Sequence, residues 1–154
     1  MAIAELLKGC ALFRGFSDAG LEALGRITCI RKVPAGAPIF VENMVAEGLF
    51  IVSSGVVQLA IRAPDGREQV LDELAPGDTF GELSLITRGR RLVTATAQTD
   101  CELIELQRKE FAKLQKQKPQ ACLKLMINVV NQFGRRAQAA SEHLKTLVTT
   151  QLPG

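Results

Sequence analysis

The hydrophobic pattern of the chain changes near Gln107, and this change constrains the fold more than any other feature of the sequence. Residues 27–107 contain about seven or eight short β-prone runs, and turn signals rich in proline and glycine separate them. One of these signals, Pro64-Asp65-Gly66, is typical of a hairpin, because proline presets φ and glycine tolerates a positive φ. Short strands at this spacing predict an all-β sandwich or roll.

Helical signals flank the β-prone region on both sides. Residues 1–26 predict two short helices, and Ser17 can cap the second through its side-chain oxygen. After Gln107 one helix is expected over 108–117, and Pro119 both ends it and suits the first turn of the next. That last helix is expected to reach residue 147, and apolar residues recur in it at helical spacing. They form one continuous stripe: Cys122, Leu125, Met126, Val129, Val130 and Phe133.

The length and composition indicate a single globular domain, which we expect in the cytoplasm. The chain has 154 residues, of which 47% are hydrophobic and 23% charged, so it fits one domain over 1–154 and is not a disordered chain. No apolar run is long enough to span a bilayer and no signal peptide is apparent, so we expect no membrane insertion. The four cysteines are scattered without CxxC spacing, which favours free thiols over a zinc site.

The net charge of +3 is unevenly placed along the chain. Residues 1–107 carry 10 Lys and Arg against 14 Asp and Glu, whereas residues 108–154 carry 9 against 2. A basic end can attract nucleic acid, but a solvated helix face is its more usual meaning, so we expect no nucleic-acid partner. His143 is the single histidine, and no Ser/His/Asp, Cys/His or metal-ligand constellation is apparent. We therefore predict a binding protein rather than an enzyme.

Residues 80–95, between two predicted strands, carry most of the chemistry of the chain. Gly81 has no Cβ, so a ligand can approach the backbone closely. The first amides of a short helix at 82–84 would point outward without a partner, which is typical of an anion site. Glu82 suits an anion that has a hydroxyl-bearing neighbour, and a ribose supplies one. Three arginines, which match a phosphate bidentately, follow closely: Arg88, Arg90 and Arg91.

This stretch resembles the phosphate-binding cassette of cyclic nucleotide-binding domains. The residues that carry the resemblance are Phe80-Gly81-Glu82-Leu83-Ser84-Leu85, followed after a short loop by Arg91 and Thr94. Upstream segments at 34–40, 49–55 and 74–82 are similar to the same family in the same order, and the resemblance covers residues 12–133. It implies a mainly β fold: a β-roll of the double-stranded β-helix, or jelly-roll, type over 27–107, with N-terminal helices over 1–26 and C-terminal helices over 108–147.

The resemblance also implies a ligand and a role for each matching residue. The ligand would be cAMP or cGMP, with no other cofactor. Glu82 would accept a hydrogen bond from the ribose 2′-hydroxyl, and the amides of 81–84 would meet the sugar and the cyclic phosphate. Arg91 would hold the phosphate charge, since Thr94 fixes the register three residues further on. The predicted ligand-binding set is Phe80, Gly81, Glu82, Leu83, Ser84, Arg91, Leu92 and Thr94.

The function implied by the resemblance is that of a stand-alone regulatory domain that senses a cyclic nucleotide. Ligand anchored at Glu82 and Arg91 would shift the C-terminal helices so that they re-dock over the site. The signal would then pass to an unknown effector protein or, through the C-terminal helix, to a second copy in a homodimer. Three polar residues of this helix are candidate contacts to the base: Asn128, Asn131 and Gln132.

Two departures from the family pattern leave alternatives open. Small residues usually follow the arginine, whereas Leu92 and Val93 stand here, and Glu42-Asn43-Met44 replaces a common Glu-Gly-Asp. A leucine at position 92 either blocks the approach of the phosphate or leans aside. The first alternative is therefore a degenerate fold mate that binds no nucleotide and serves as an interaction or oligomerisation module. The second is a fragment of a transcription regulator of the catabolite-activator type.

Overall fold

The β region of the chain folds into eight strands in the computed structural model, which describes residues 3–85 and 87–151. The strands are β1 (Thr28–Val33), β2 (Pro38–Phe40), β3 (Gly48–Ser54), β4 (Val57–Arg62), β5 (Glu68–Leu74), β6 (Thr79–Phe80), β7 (Thr94–Ala97) and β8 (Cys101–Gln107). The flanking helices are α1 (Ile3–Lys8), α2 (Asp18–Arg26), α3 (Arg108–Gln117) and α4 (Pro119–Gln151). Two short 3₁₀ turns, Ala11–Phe13 and Glu82–Leu85, complete the described elements.

The strands pair in two four-stranded antiparallel sheets. The order is β1-β8-β3-β6 in one sheet and β2-β7-β4-β5 in the other. Several neighbours in a sheet are distant in the sequence, as with β3 and β8, so the chain passes repeatedly from one sheet to the other. This topology is a roll rather than a meander. The predicted fold class, a β-roll with flanking helices, is therefore confirmed.

Strand β3 is buried on both of its faces and joins the two hydrophobic cores of the protein. Because side chains alternate along a strand, Leu49 and Ile51 face the core that the flanking helices cover. Phe50 and Val52 face the interior of the roll instead. Helices on the outside of one sheet and the second sheet on its inside thus leave β3 no solvent face, which explains its uninterrupted apolar sequence.

Three phenylalanines form the aromatic part of the roll interior. The ring centroids of Phe50 and Phe80 lie 5.2 Å apart, and those of Phe40 and Phe80 lie 5.8 Å apart. All three rings are buried, and each comes from a different strand: β2, β3 and β6. Aromatic pairs at these separations contribute about 0.5–1.5 kcal/mol beyond the burial of their area. They hold β6, only two residues long, against the rest of the roll.

The sequence predicted the start of α2 but did not predict the short strand β6. Ser17 caps α2 as predicted, since its Oγ accepts a hydrogen bond from the amide of Gly20 at 3.1 Å. Strand β6 has no counterpart in the sequence analysis, because a two-residue strand leaves no periodic signal. The apolar stripe of α4 is buried at Cys122, Leu125 and Val129.

The apolar stripe of α4 leaves the core at its C-terminal end. Val130 is 57% exposed and Phe133 is 51% exposed. Val130 is rotated about 100° from the buried Val129. Phe133 lies a turn further on, where α4 has passed the core and where every residue from 133 to 146 is exposed. The end of the stripe is therefore an unpartnered surface.

Substitution of Gly55 by alanine is expected to destabilise the fold far more than the same change at Gly36. Both glycines have a positive φ, +90° and +86°, so alanine carries a backbone strain of about 1–2 kcal/mol at either site. A Cβ at Gly55 would also collide with the carbonyl oxygen of Asp100 and would lie 2.8 Å from the Sγ of Cys101, whereas Gly36 faces open space. Urea unfolding of the two variants measures the difference. Equal losses of unfolding free energy would contradict the close packing at Gly55.

Candidate functional site

The cassette segment is built around a tight turn at the end of β6. Gly81 adopts a φ of +75°, which favours glycine, and the 3₁₀ turn Glu82–Leu85 follows it. The hydroxyl of Ser84 donates to the carbonyl of Gly81 at 2.6 Å, and the amide of Ser84 bonds to the same oxygen. Ser84 and Leu85 are buried, so the turn is fixed to the roll from below.

The guanidinium of Arg91 lies in the interior of the roll, directly against this turn. Only 7% of the residue is exposed. Its Nη2 donates to the carbonyl of Gly48 at 2.8 Å, and its Cζ lies 4.0 Å above the ring centroid of Phe40. A Cβ built on Gly81 would be 2.5 Å from Nη1, so a larger residue at this position would displace the guanidinium from its present place. The structure thus brings Gly81 and Arg91 together across ten residues of sequence.

Gly48, which accepts a hydrogen bond from Arg91, also has no room for a side chain. Its carbonyl accepts the hydrogen bond from Arg91, while a Cβ at this position would collide with the backbone carbonyl of Leu106 on β8. The strand β3 can therefore approach β8 closely at the point where it also presents an acceptor to the guanidinium.

The positive charge of Arg91 has no counter-ion in the described part of the chain. No carboxylate lies within ion-pair distance of it, and its Nε is buried without a hydrogen-bond partner. Burial lowers the pKa of Arg91, while Glu105 and Glu47 act in the opposite direction from further away. An arginine keeps its proton even so, and an uncompensated charge in such a place costs several kcal/mol. A bound anion could neutralise this charge.

The carboxylate of Glu82 lies at the mouth of the same turn, but it is not an isolated acceptor. Its side chain is 12% exposed, and its Oε1 accepts hydrogen bonds from the Oγ1 of Thr79 at 3.1 Å and from the Nη1 of Arg136 at 2.8 Å. Sequence reasoning missed both partners. One sequence signal could have pointed to Arg136. It lies four residues after the candidate base contact Gln132, so both are on the same face of α4.

The three polar residues of α4 that were candidates for base contacts lie in different surroundings. Gln132 reaches the cassette, since its Nε2 donates to the Oγ1 of Thr79 at 3.3 Å. Asn128 does not, because its Nδ2 donates to the carbonyls of Leu12 and Arg14 and thereby ties α4 to the N-terminal segment. Asn131 is exposed. Of the three, the structure brings only Gln132 to the cassette.

The other residues of the predicted ligand-binding set differ in burial and in hydrogen bonding. Leu92 is 75% exposed, so its side chain is not buried with the guanidinium. The Oγ1 of Thr94 accepts a hydrogen bond from the amide of Glu42 at 2.9 Å and so holds the neighbouring loop. Phe80 lies in the aromatic cluster behind the turn. Leu83 is only partly buried, and the structure gives it no polar contact through its side chain.

The loop at Glu42-Asn43-Met44 pairs with the backbone of Arg91. Asn43 has a φ of +74°, the conformation that glycine would adopt most easily, and its amide donates to the carbonyl of Arg91 at 2.8 Å. The amide of Arg91 donates in turn to the carbonyl of Met44 at 2.7 Å. This pairing turns the side chain of Arg91 inward.

Arg90 and Arg88 are oriented away from the cassette. The Nη1 of Arg90 donates to the carbonyl of Asn43 at 2.8 Å, on the outside of the loop. Arg88 lines a surface cavity of about 480 Å³ with Glu47 and Arg108. Two further cavities, of about 510 and 560 Å³, also lie away from the turn at Gly81. Among the described residues, none of these open grooves holds a buried unpaired charge.

Two further classes of site have no support in the described residues. Within 3–85 and 87–151 no cluster of three or more His, Cys, Asp or Glu side chains is placed to hold a metal ion. In the same part of the chain no helix is both long and apolar enough to cross a bilayer.

Comparison with known proteins supplies an independent view of the same segment. The family model of the cyclic nucleotide-binding domain matches residues 30–118. A CRP-like cAMP-activated global transcriptional regulator of Mycobacterium tuberculosis is 30% identical over 150 residues, which are 97% of this chain and 65% of that protein. A cyclic AMP receptor protein of Thermus thermophilus is 34% identical over 113 residues, 73% of this chain and 52% of that protein. The chain thus spans about half to two-thirds of the length of these relatives.

Solved structures agree with the sequence comparison. The catabolite activator protein of Thermus thermophilus superposes with a TM-score of 0.79 at 32% identity, covering 90% of this chain and 63% of that one. The regulatory domain of Toxoplasma gondii PKA, crystallised with cAMP, superposes with a TM-score of 0.67 at 30% identity, covering 73% of this chain and 42% of that one.

Replacement of Arg91 by methionine is expected to stabilise the protein. The change removes a buried charge for which the described part of the chain offers no counter-ion, and a methionine of similar length can pack against the ring of Phe40. The unfolding free energy should rise by about 1–2 kcal/mol, after the lost hydrogen bond to Gly48 is included. Urea unfolding without added ligand checks this, with Arg90→Met as the control. A loss of more than about 2 kcal/mol would show that Arg91 serves the fold rather than a ligand.

Proposed function

The chain belongs to the cyclic nucleotide-binding domain family, and from that premise we propose that it is a regulatory domain that binds cAMP or cGMP. The observation that carries the proposal is the buried guanidinium of Arg91, which lies against Gly81 without a counter-ion among the described residues. A cyclic phosphate is a compact anion that can neutralise this charge and accept the unpaired Nε–H.

A ribose would explain why a carboxylate, that of Glu82, lies beside the proposed anion site. The Oε2 of Glu82 has no hydrogen bond in the described part of the chain, because Thr79 and Arg136 both donate to Oε1. A ribose 2′-hydroxyl can donate to this free oxygen. Each hydrogen bond to a charged group contributes about 1.5–3 kcal/mol. A few of them on a preformed turn support micromolar affinity, roughly −8 kcal/mol.

The relatives favour cAMP over cGMP as the first ligand to test. The Mycobacterium tuberculosis and Thermus thermophilus relatives are named for cAMP, and the Toxoplasma gondii structure contains it. The 75% exposure of Leu92 supports the proposal, because a leucine at the surface can lean aside from a phosphate. A non-binding interaction module is thus the weaker alternative.

The exposed face of α4 fits a second copy of the chain. Residues on this face repeat at alternating spacings of four and three, which is the seam of a coiled coil. They are Leu123, Ile127, Val130, Gly134, Ala137, Ser141 and Leu144. Four of them are large apolar residues at least 50% exposed, and the small residues in the middle allow two helices to approach closely. A stripe of this kind is complementary to itself, so we propose a two-fold homodimer that passes the signal onward.

A transcription regulator is the second candidate function. The curated relatives are named as transcriptional regulators, and this chain matches only about half to two-thirds of their length. In that case the chain is the nucleotide-sensing part of a longer protein, and nucleic acid is a partner of the whole. A reading frame that continues beyond Gly154 into a helix-turn-helix unit would favour this function over a stand-alone domain.

Titration calorimetry with cAMP and cGMP tests the proposed function directly. We expect micromolar binding of at least one nucleotide, and a loss of at least about tenfold in Arg91→Ala, because one charged hydrogen bond to phosphate is worth more than 1.4 kcal/mol. The control is Arg90→Ala, whose side chain bonds outside the cassette and whose affinity should match that of the unaltered chain. No heat at high micromolar nucleotide would instead support the non-binding alternative.

A second titration assigns the role of Glu82. The unaltered chain should bind 2′-deoxy-cAMP about tenfold more weakly than cAMP, because the hydroxyl that bonds to the carboxylate is missing. In Glu82→Ala the two nucleotides should bind with similar affinity. The double-mutant logic isolates the contact between hydroxyl and carboxylate from other effects of the substitution. Undiminished discrimination in Glu82→Ala would place the hydroxyl elsewhere.

A further inference from the structure

Two guanidinium groups lie close to the ring of Phe50 in the interior of the roll. The Cζ of Arg91 is 5.8 Å from the ring centroid, and the Cζ of Arg31 on β1 is 5.7 Å from it. The Nη2 of Arg31 also donates to the carbonyl of Ile39 at 3.1 Å. In residues 3–85 and 87–151 neither arginine lies within ion-pair distance of a carboxylate. Carbonyls and an aromatic ring thus surround two positive charges without neutralising them.

One carboxylate, that of Glu105, lies on the same face of the sheet as the Phe50 ring. The register places Glu105 of β8 directly opposite Phe50 of β3 and, on its other side, opposite Cys29 of β1. Opposite residues of antiparallel strands point to the same face, with Cβ atoms about 4.5–5.5 Å apart. The side chain of Glu105 is partly buried, and its Oε2 accepts a weak hydrogen bond from the Sγ of Cys29 at 3.9 Å.

The electrostatic effects on neighbouring groups connect these three charges. Burial lowers the pKa of Arg91, and Glu105 opposes this more strongly than the exposed Glu47 does. Burial also raises the pKa of the Cys29 thiol, Glu105 raises it further, and Arg31 lowers it. Two guanidinium groups and one carboxylate leave a single positive charge in this part of the roll. A cyclic phosphate, which carries one negative charge, matches that remainder.

We infer that Glu105 partly compensates the buried charge of Arg91 and thereby limits the affinity of the site for a nucleotide, an inference that rests on the function proposed above. In the empty site the carboxylate reduces the free energy needed to keep the guanidinium buried. When a cyclic phosphate binds that guanidinium, the carboxylate repels the phosphate through an interior less polarisable than water. Removal of this one negative charge should therefore raise the affinity and lower the stability.

Titration calorimetry of Glu105→Gln with cAMP tests the effect on affinity. Glutamine keeps the shape of the side chain and can still accept the bond from Cys29, so the charge is the main change. cAMP should bind about three- to tenfold more tightly than to the unaltered chain, because the interaction passes through a partly buried region. Most of this gain should persist at about 0.5 M salt, which screens exposed charges more than buried ones.

The matched control is Glu102→Gln, a change of the same charge on the same strand. Glu102 is next to Leu103, which faces the roll interior, so its own side chain points to the other face of the sheet. Its affinity for cAMP should stay within about twofold of that of the unaltered chain. An equal gain in Glu102→Gln would overturn the inference, because net charge alone would then explain the result.

Urea unfolding without ligand tests the same pair of residues independently of any nucleotide. Glu105→Gln should raise the unfolding equilibrium constant about fivefold in the unaltered chain, but less than about twofold in the Arg91→Met background, where the charge to be compensated is gone. Equal effects in the two backgrounds, or an affinity for cAMP that stays the same or falls, would overturn the inference. Coupled unfolding in a chain that gives no heat with any cyclic nucleotide would refute the proposed function, and with it the limit on affinity, while the compensation of Arg91 by Glu105 would stand.

Discussion

A buried positive charge, with no counter-ion in residues 3–85 and 87–151, is the constraint on which the rest of this site depends. Arg91 is held by one backbone carbonyl and by the face of an aromatic ring, and neither of them neutralises a guanidinium. Such an arrangement costs free energy in the folded protein. The β-roll supports it because the two sheets are joined by a large apolar interior that supplies the stability. The buried charge and the apolar residues that offset its cost thus lie side by side in the interior of the roll.

The geometry around this arginine depends on strands that come from distant parts of the sequence. Strand β3 supplies the acceptor at Gly48, β6 leads into the turn at Gly81, and the loop at Asn43 turns the arginine inward by pairing with its backbone. Each of these segments is short, and each is fixed by a different neighbour. The surroundings of Arg91 therefore depend on the whole roll rather than on the cassette alone, and local changes far from residue 91 can alter them.

Features that depend on neighbouring residues could be predicted from the sequence. Contacts between residues far apart in the chain could not. Ser17 as a helix cap and Pro119 at the start of α4 follow from local chemistry and were predicted. The preference for Arg91 over Arg90 followed from the resemblance, and the side chains do point in different directions. The pair of Glu82 and Arg136 joins residues 54 positions apart, and no periodicity reports such a contact. Likewise, the end of the core along α4 depends on where the N-terminal helices stop, which a stripe of apolar residues does not reveal.

Gly48 illustrates how two unrelated demands can meet in one residue. The absence of a side chain lets β3 lie close to β8, and the carbonyl of the same residue faces the guanidinium. Any larger amino acid would push apart two central strands and move the acceptor at the same moment. In distant proteins that keep this arrangement around the arginine, the residue at position 48 should therefore be as informative as Gly81 and Glu82 of the cassette. Position 48 lies more than thirty residues earlier in the chain.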